Sequence, residues 1–262
     1  MTDLGLITRA RRRLQREALQ RKNNVVLRTM ACQVSQNLPE AQQKPIVFFN
    51  ASTRLSGLSL NAGFSILTAW SLGLQGVPVV HFVCSSGLQP CVLGTNRKDA
   101  NGAPPCADCI RQSQAVYDYS QVRYFQFEAD PELDEQLEAL ALDKLMGFEH
   151  QGMPLGNLVL PSLRWILRRH NLAEDEYTTT LYKNYIRSAW SLARQFEQLI
   201  KELGPQAVVL FNGMQYPEAA ARWVARNHGI RVISHEVGMR PLSAYFTEGD
   251  ATAYDLDIPP NF

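Results

Sequence analysis

Apolar residues follow two rhythms along this chain. Short unbroken runs of four or five are separated by longer stretches in which they recur every three or four positions. The first kind suits strands buried on both faces, and the second suits helices with one apolar side. The clearest unit is Ala207 to Gly238. Ala207–Phe211 is a Val-rich run bounded by Pro205 and Gly213, and Asn212-Gly213 closes it with turn chemistry. Pro217 has the φ preferred in a helix's first turn, and Glu218 beside it suits the positive end of the helix dipole. Ala220, Trp223, Val224 and His228 keep helical spacing until Gly229 stops the helix. Ile230–Ser234 is the returning strand, with His235-Glu236 at its end.

An earlier stretch repeats this grammar. Ile46–Phe49 is a strand ending at Asn50, followed by the small-residue loop Ser52–Gly63 and a helix from about Asn61 to Leu74. Gly76 ends that helix, and Val79–Val83 returns as a strand. Two strand–loop–helix–strand units predict an α/β fold: a Rossmann-like, doubly wound, mostly parallel sheet. Val122–Phe127 adds a strand and Leu242–Thr247 a last short one.

The remaining periodic segments read as helix. Ile110–Tyr117 is short, Pro131–Leu145 has an acidic start, and Ser162–His170 follows a connector at Gly147–Pro161. Glu174–Leu203 is the longest insertion, with Tyr177, Leu181, Tyr185, Leu192, Phe196 and Leu199 as its apolar stripe. Ahead of the sheet, Leu4 to about Gln36 predicts a helical arm rich in Arg and separable from the domain. The expected division is a basic arm over 1–38 and one Rossmann-like domain over 44–262. The arm reads either as solvated or as a peripheral contact with an anionic membrane surface through residues 4–28.

With 262 residues the chain has room for one large domain or two small ones, and its net charge of +1 gives no global case for nucleic acid. No apolar run reaches the roughly 18–20 residues of a membrane span, and no signal-peptide block opens the chain. The expected compartment is cytoplasmic, at the inner membrane face if the arm binds lipid. Thiols there stay reduced.

Candidate chemistry sits at strand ends. In a doubly wound sheet, the loops after the strands' C-terminal ends line the ligand crevice. The expected binding groups are Asn50, Ser56, Gly57, Asn61, Gly63, Asn212, Gly213 and Tyr216, with His235 or Glu236 as a general base. Four of the five cysteines cluster in sequence. Cys106-x-x-Cys109 can place two thiolates on one metal, and Cys84 and Cys91 complete a tetrahedral set for structural zinc. Core thiols and redox chemistry remain open as alternatives.

VVLFNG with YPEAAARWVA behind it, then VISHEVG, together with CVLGTN and PPCADC, resemble the N-terminal half of a GT-B glycosyltransferase of bacterial surface and capsular polysaccharide synthesis. The resemblance covers most of Lys44–Phe262. It implies a domain that holds a glycan or lipid-linked acceptor and faces a C-terminal domain, on the same or another chain, that binds most of the nucleotide-sugar donor. That donor domain is not legible in this sequence. The alternative reading is a non-enzymatic, zinc-stabilised α/β module that binds sugar or nucleotide.

Overall fold

The computed structural model describes residues 3–41, 43–51 and 58–248. Six strands form one sheet: β1 (Ile46–Asn50), β2 (Val79–Cys84), β3 (Gln121–Phe125), β4 (Ala207–Phe211), β5 (Arg231–Val237) and β6 (Ala244–Glu248). Their spatial order is β3-β2-β1-β4-β5-β6; β1 to β5 pair parallel and β6 pairs antiparallel to β5. The order reverses between β1 and β4, which makes this a Rossmann-like doubly wound sheet with its switch point there.

Alternating side chains assign the two faces. Phe48 on β1 and Val209 on β4 meet Ala69 of α2 (Leu60–Leu74) on one side. Val83 of β2 joins Ile66 and Trp70 of α2 and Val116 and Tyr117 of α3 (Cys106–Tyr117) on that same side. Val47, Phe49, Phe82, Val208 and Leu210 point the other way, into the main core. There α7 (Glu176–Leu203) drives Phe196 against Phe49 and Phe82, at ring distances of 5.5 and 5.1 Å. Helix α6 (Leu155–Leu167) and α8 (Tyr216–Asn227) pack on α7 and complete the layer.

Several boundaries differ from the sequence reading. The segment Pro131–Leu145 is two helices, α4 (Pro131–Glu138) and α5 (Leu142–Leu145), with the break at Ala139–Ala141. Helix α6 begins at Leu155, inside the stretch read as a connector, and Pro161 lies within it. Burial of Leu155, Val159, Leu163 and Ile166 outweighs the lost hydrogen bond at Pro161. Strand β5 runs on to Val237 because β6 folds back and pairs with it, Glu236 opposite Tyr245 and Val237 opposite Ala244.

The arm also packs on the domain, where the sequence reading set it apart. In helix α1 (Asp3–Gln36) the described side chains from Thr8 to Leu19 are mostly exposed, but Ala31 is buried against Ile66, Trp70, Val116 and Tyr117, with Leu27 and Val34 beside it. Gln20 Nε2 donates to Gln112 Oε1 at 2.7 Å, and Arg28 pairs with Asp118 at 2.8 Å. The boundary between arm and body therefore falls near Gln20, not after residue 38. Among the described residues, no helix is long and apolar enough to cross a membrane.

Candidate functional site

The C-terminal ends of β1, β2, β4 and β5 share one sheet edge, as parallel pairing requires. Asn50 and Asn212 end neighbouring strands, but their side chains do different things. Asn50 is buried, and its Nδ2 donates to Phe48 O at 3.2 Å while its Oδ1 accepts from Ser65 of α2. The same Nδ2 lies 3.3 Å from His81 Nδ1. These contacts tie β1 to α2 and β2, so Asn50 is a structural amide and not the ligand group that the sequence suggested. Ser56 and Gly57 lie outside the described residues. Asn61 stands in the first turn of α2, where Ser59 caps the helix by accepting from Ala62 N. Its Oδ1 is buried with no hydrogen-bond partner among the described residues. Gly63 has only ordinary contact around a built Cβ, so nothing there demands glycine.

Asn212 takes the left-handed conformation, φ 56°, followed by Gly213 at φ 81°. Asparagine tolerates this region because its short amide can bond locally. Its Oδ1 accepts from Met214 N at 3.1 Å, and its Nδ2 donates to Glu236 Oε2 at 2.9 Å. Val237 N donates to Glu236 Oε1 at 2.8 Å, so the half-exposed carboxylate is held at both oxygens. His235 points to the opposite face, as neighbours on a strand must. It is buried between Phe211 and Phe246, at ring distances of 5.9 and 5.4 Å. That placement removes it as an accessible base. Tyr216 is likewise a core residue: its ring is buried against Tyr185, its hydroxyl donates to Pro90 O at 2.8 Å, and its N–H donates to Ser162.

Burial pushes His235 down to about 4. Its folded-state value lies below the ordinary 6.5, so the folded chain binds fewer protons than the unfolded one between those pH values. Stability must then fall as pH drops through that window. His235→Leu removes this liability. Its melting temperature should exceed that of the parent progressively more as pH falls from 6.5 to 5. Equal acid sensitivity of the two proteins would show that the imidazole accepts its proton in place.

One ionisable group at this edge escaped the sequence reading of the site. Glu218, in the first turn of α8, is 8% exposed. Burial pushes its carboxyl up to about 8, against the smaller pull of its own backbone N–H. No sequence signal announces this, because α6 and α7, which pack on α8, are distant in the chain.

A large opening lies at the other end of the same edge, beyond β2 and β3. A cavity of about 670 Å³ is lined by Gln89, Asn101, Phe127, Asp134, Asn184 and Arg187, among others. Arg187 Nε donates to Asp134, and Arg187 Nη1 donates to Asn184 Oδ1 at 3.1 Å. Asn184 Nδ2 in turn reaches Ala100 O and Asn101 Oδ1, both at 3.3 Å. The lining is thus a chain of amides and one ion pair, with an aromatic ring beside it. Strand spacing of about 4.8 Å puts β2 roughly 14 Å from β5, so this cavity and Glu236 are separate stations along one edge.

Ser86, Pro104 and Cys106 line this cavity and also a second, small one of about 20 Å³. Cys84, Cys91, Cys106 and Cys109 all face that small cavity, with Ala51, Leu88, Pro105 and Ile110. None of the five cysteines forms a disulfide. Burial pushes the Cys84 thiol up to about 12 and the Cys91 thiol up to about 11, so as thiols neither is a ready nucleophile. Among the described residues, no group of three or more His, Cys, Asp or Glu side chains is placed to hold a metal ion.

No family model matches the chain, and no curated protein matches it. Among solved structures, it is similar to the structure of a CDPS from Fluoribacter dumoffii, at 10% identity and a TM-score of 0.41. That match covers 82% of this chain and 94% of the other. The assignment of the fold rests on the strand order itself.

Proposed function

We propose that this chain forms the acceptor side of a glycosyltransferase of surface polysaccharide synthesis, taking a hydroxyl-rich glycan in the cavity beyond β2 and β3. The cavity's lining carries the reading. Gln89, Asn101 and Asn184 line it with amides, and sugar hydroxyls, which both donate and accept, match that chemistry by exchanging with the bonds Asn184 now makes to Ala100 and Asn101. Asp134 and Arg187 add charge-assisted partners. Phe127 supplies an apolar ring for the C–H face of a pyranose. The cavity's volume is within the range of small-molecule sites.

Transfer with inversion needs a base at the acceptor hydroxyl. Glu236 fills that role better than His235, because it is partly exposed at the end of β5 and Asn212 fixes its orientation. An acceptor of more than one sugar ring would reach from the cavity to Glu236. The nucleotide-sugar donor would be bound mainly by a partner domain, and the chain's own part is to hold and deprotonate the acceptor. For a lipid-linked acceptor, the basic half of α1 supplies attraction to an anionic membrane surface.

Binding of an oligosaccharide panel, read by saturation-transfer NMR, tests the first half of this reading. Asn184→Ala should weaken the bound glycan about tenfold, the loss of one or two hydrogen bonds. An unchanged affinity would move the site elsewhere. Glu236→Gln should leave glycan affinity intact and lower transfer by roughly 10²–10⁴ once a donor-binding domain and donor are supplied. Glycan binding with no transfer under any of these conditions would favour the sugar-binding module over the enzyme.

A further inference from the structure

We propose that Cys84, Cys91, Cys106 and Cys109 bind one zinc ion as a tetrathiolate, and that this ion fastens the wall of the large cavity. Three separate segments bring the sulfurs together: the end of β2, the loop after it, and the first turn of α3. The helix starts at Cys106, four residues earlier than its apolar pattern suggests, so both members of the Cys-x-x-Cys pair lie on one helical turn. All four side chains line the same small cavity, and the rest of its lining is Ala, Leu, Ile, Pro and one Ser. Its volume of about 20 Å³ exceeds the roughly 10–15 Å³ that a single water needs. That leaves room for one ion.

Two of the cysteines are already dressed as ligands. Cys84-Ser-Ser-Gly87 and Cys91-Val-Leu-Gly94 are both Cys-x-x-Gly turns, and in each the glycine N–H donates to the cysteine sulfur, at 3.3 and 3.1 Å. Ser86 takes φ 64° to make the first of these turns. An amide aimed at sulfur favours the thiolate over the thiol, because the anion is the better acceptor. A set of four soft sulfur donors with no carboxylate or imidazole among them selects zinc over magnesium or calcium. Ligand distances near 2.3 Å require the sulfurs to close in by side-chain rotation. Binding releases the thiol protons as the Zn–S bonds form, and no electron is transferred.

The ion also answers a structural need. The connection Ser85–Pro105 has neither helix nor strand, and is longer than the roughly 12–15 residues usual for such loops in a compact domain. It builds much of the large cavity, and Ser86, Pro104 and Cys106 belong to both linings. The proposal stands whether or not the cavity binds a glycan.

Elemental analysis of the full chain, purified under reducing conditions in zinc-supplemented medium, should give one zinc per chain. Replacing the zinc with cobalt(II) should produce the visible d–d bands and sulfur-to-cobalt charge transfer of a tetrahedral tetrathiolate. Cys84→Ser and Cys106→Ser should each alter that spectrum, and Cys32→Ser should not. If a variant does not fold, the intensity of charge transfer in the unaltered protein still counts the sulfurs. Absence of metal together with no cobalt spectrum overturns the proposal, and so does a spectrum with fewer than four sulfurs. Stoichiometric zinc with no glycan bound would leave the metal site standing and refute only the sugar reading.

Discussion

Deleting residues 1–36 should lower the melting temperature by about 10–20 °C, whereas deleting residues 1–19 should leave it within about 2 °C. The difference comes from what each half of α1 covers. Leu27, Ala31 and Val34 lie over Ile66, Trp70, Val83, Val116 and Tyr117, and their removal bares that apolar surface. Burying side chains of this kind stabilises by roughly 1.5–3 kcal/mol each, so the loss is of the order of 5 kcal/mol. The polar pairs Gln20–Gln112 and Arg28–Asp118 are lost with them. Among the described residues before Gln20 most side chains are exposed, and the ion pair Arg13–Glu17 is internal to the helix. Thermal scans of the two truncations decide the matter. Equal stability of both would mean that the contact of α1 with α3 contributes nothing.

Replacing Glu218 with Gln should stabilise the protein at alkaline pH and leave it unchanged near pH 4.5. The carboxyl is raised from 4.5 to about 8 by burial. Between those pH values the folded chain keeps a proton that the unfolded chain has lost. Stability therefore falls as pH rises through that window and is flat above it. Gln has nearly the same shape and cannot ionise. At 1.36 kcal/mol per unit the full shift bounds the effect near ~5 kcal/mol. Relaxation around the charge and the positive end of α8 bring the expectation to about 2–3 kcal/mol, or roughly 5–10 °C at pH 8.5. A loss of stability in Glu218→Gln at every pH would show instead that the carboxylate is charged and paired.

The sheet was readable because its signals are local. Ala207–Phe211 and Ile46–Asn50 are short apolar runs closed by Asn, and α8 carries Pro217 at its start and Gly229 just past its end. Those cues depend on neighbours in sequence, and they gave every strand to within two residues except the end of β5. The site was harder, because facing and depth depend on distant segments. His235 looked like a strand-end residue until β6 extended the strand past it and laid Phe246 against its ring. Tyr216 read as a binding group and Glu218 as a charge at the helix dipole, and both are buried in the fold. The large cavity draws Asp134 from α4, Asn184 and Arg187 from α7, and Asn101 from a loop. No spacing rule joins those positions. Pro161 misled in another way, since a strong local breaker was overruled by the apolar face of α6.

The exposed half of α1 also changes how the near-neutral total charge should be understood. Residues 1–36 contain eight Lys or Arg against two Asp or Glu, a balance of +6, and the rest of the chain must then carry −5. The protein is therefore a charge dipole, with its positive pole on a helix whose described side chains between Thr8 and Leu19 are mostly exposed. Such a particle attracts its own kind head to tail when counter-ions are scarce. Its osmotic second virial coefficient should be negative in dilute buffer and rise as salt shortens the Debye length to about 10 Å near 0.1 M. Colloidal behaviour of that sort would be invisible in the isoelectric point.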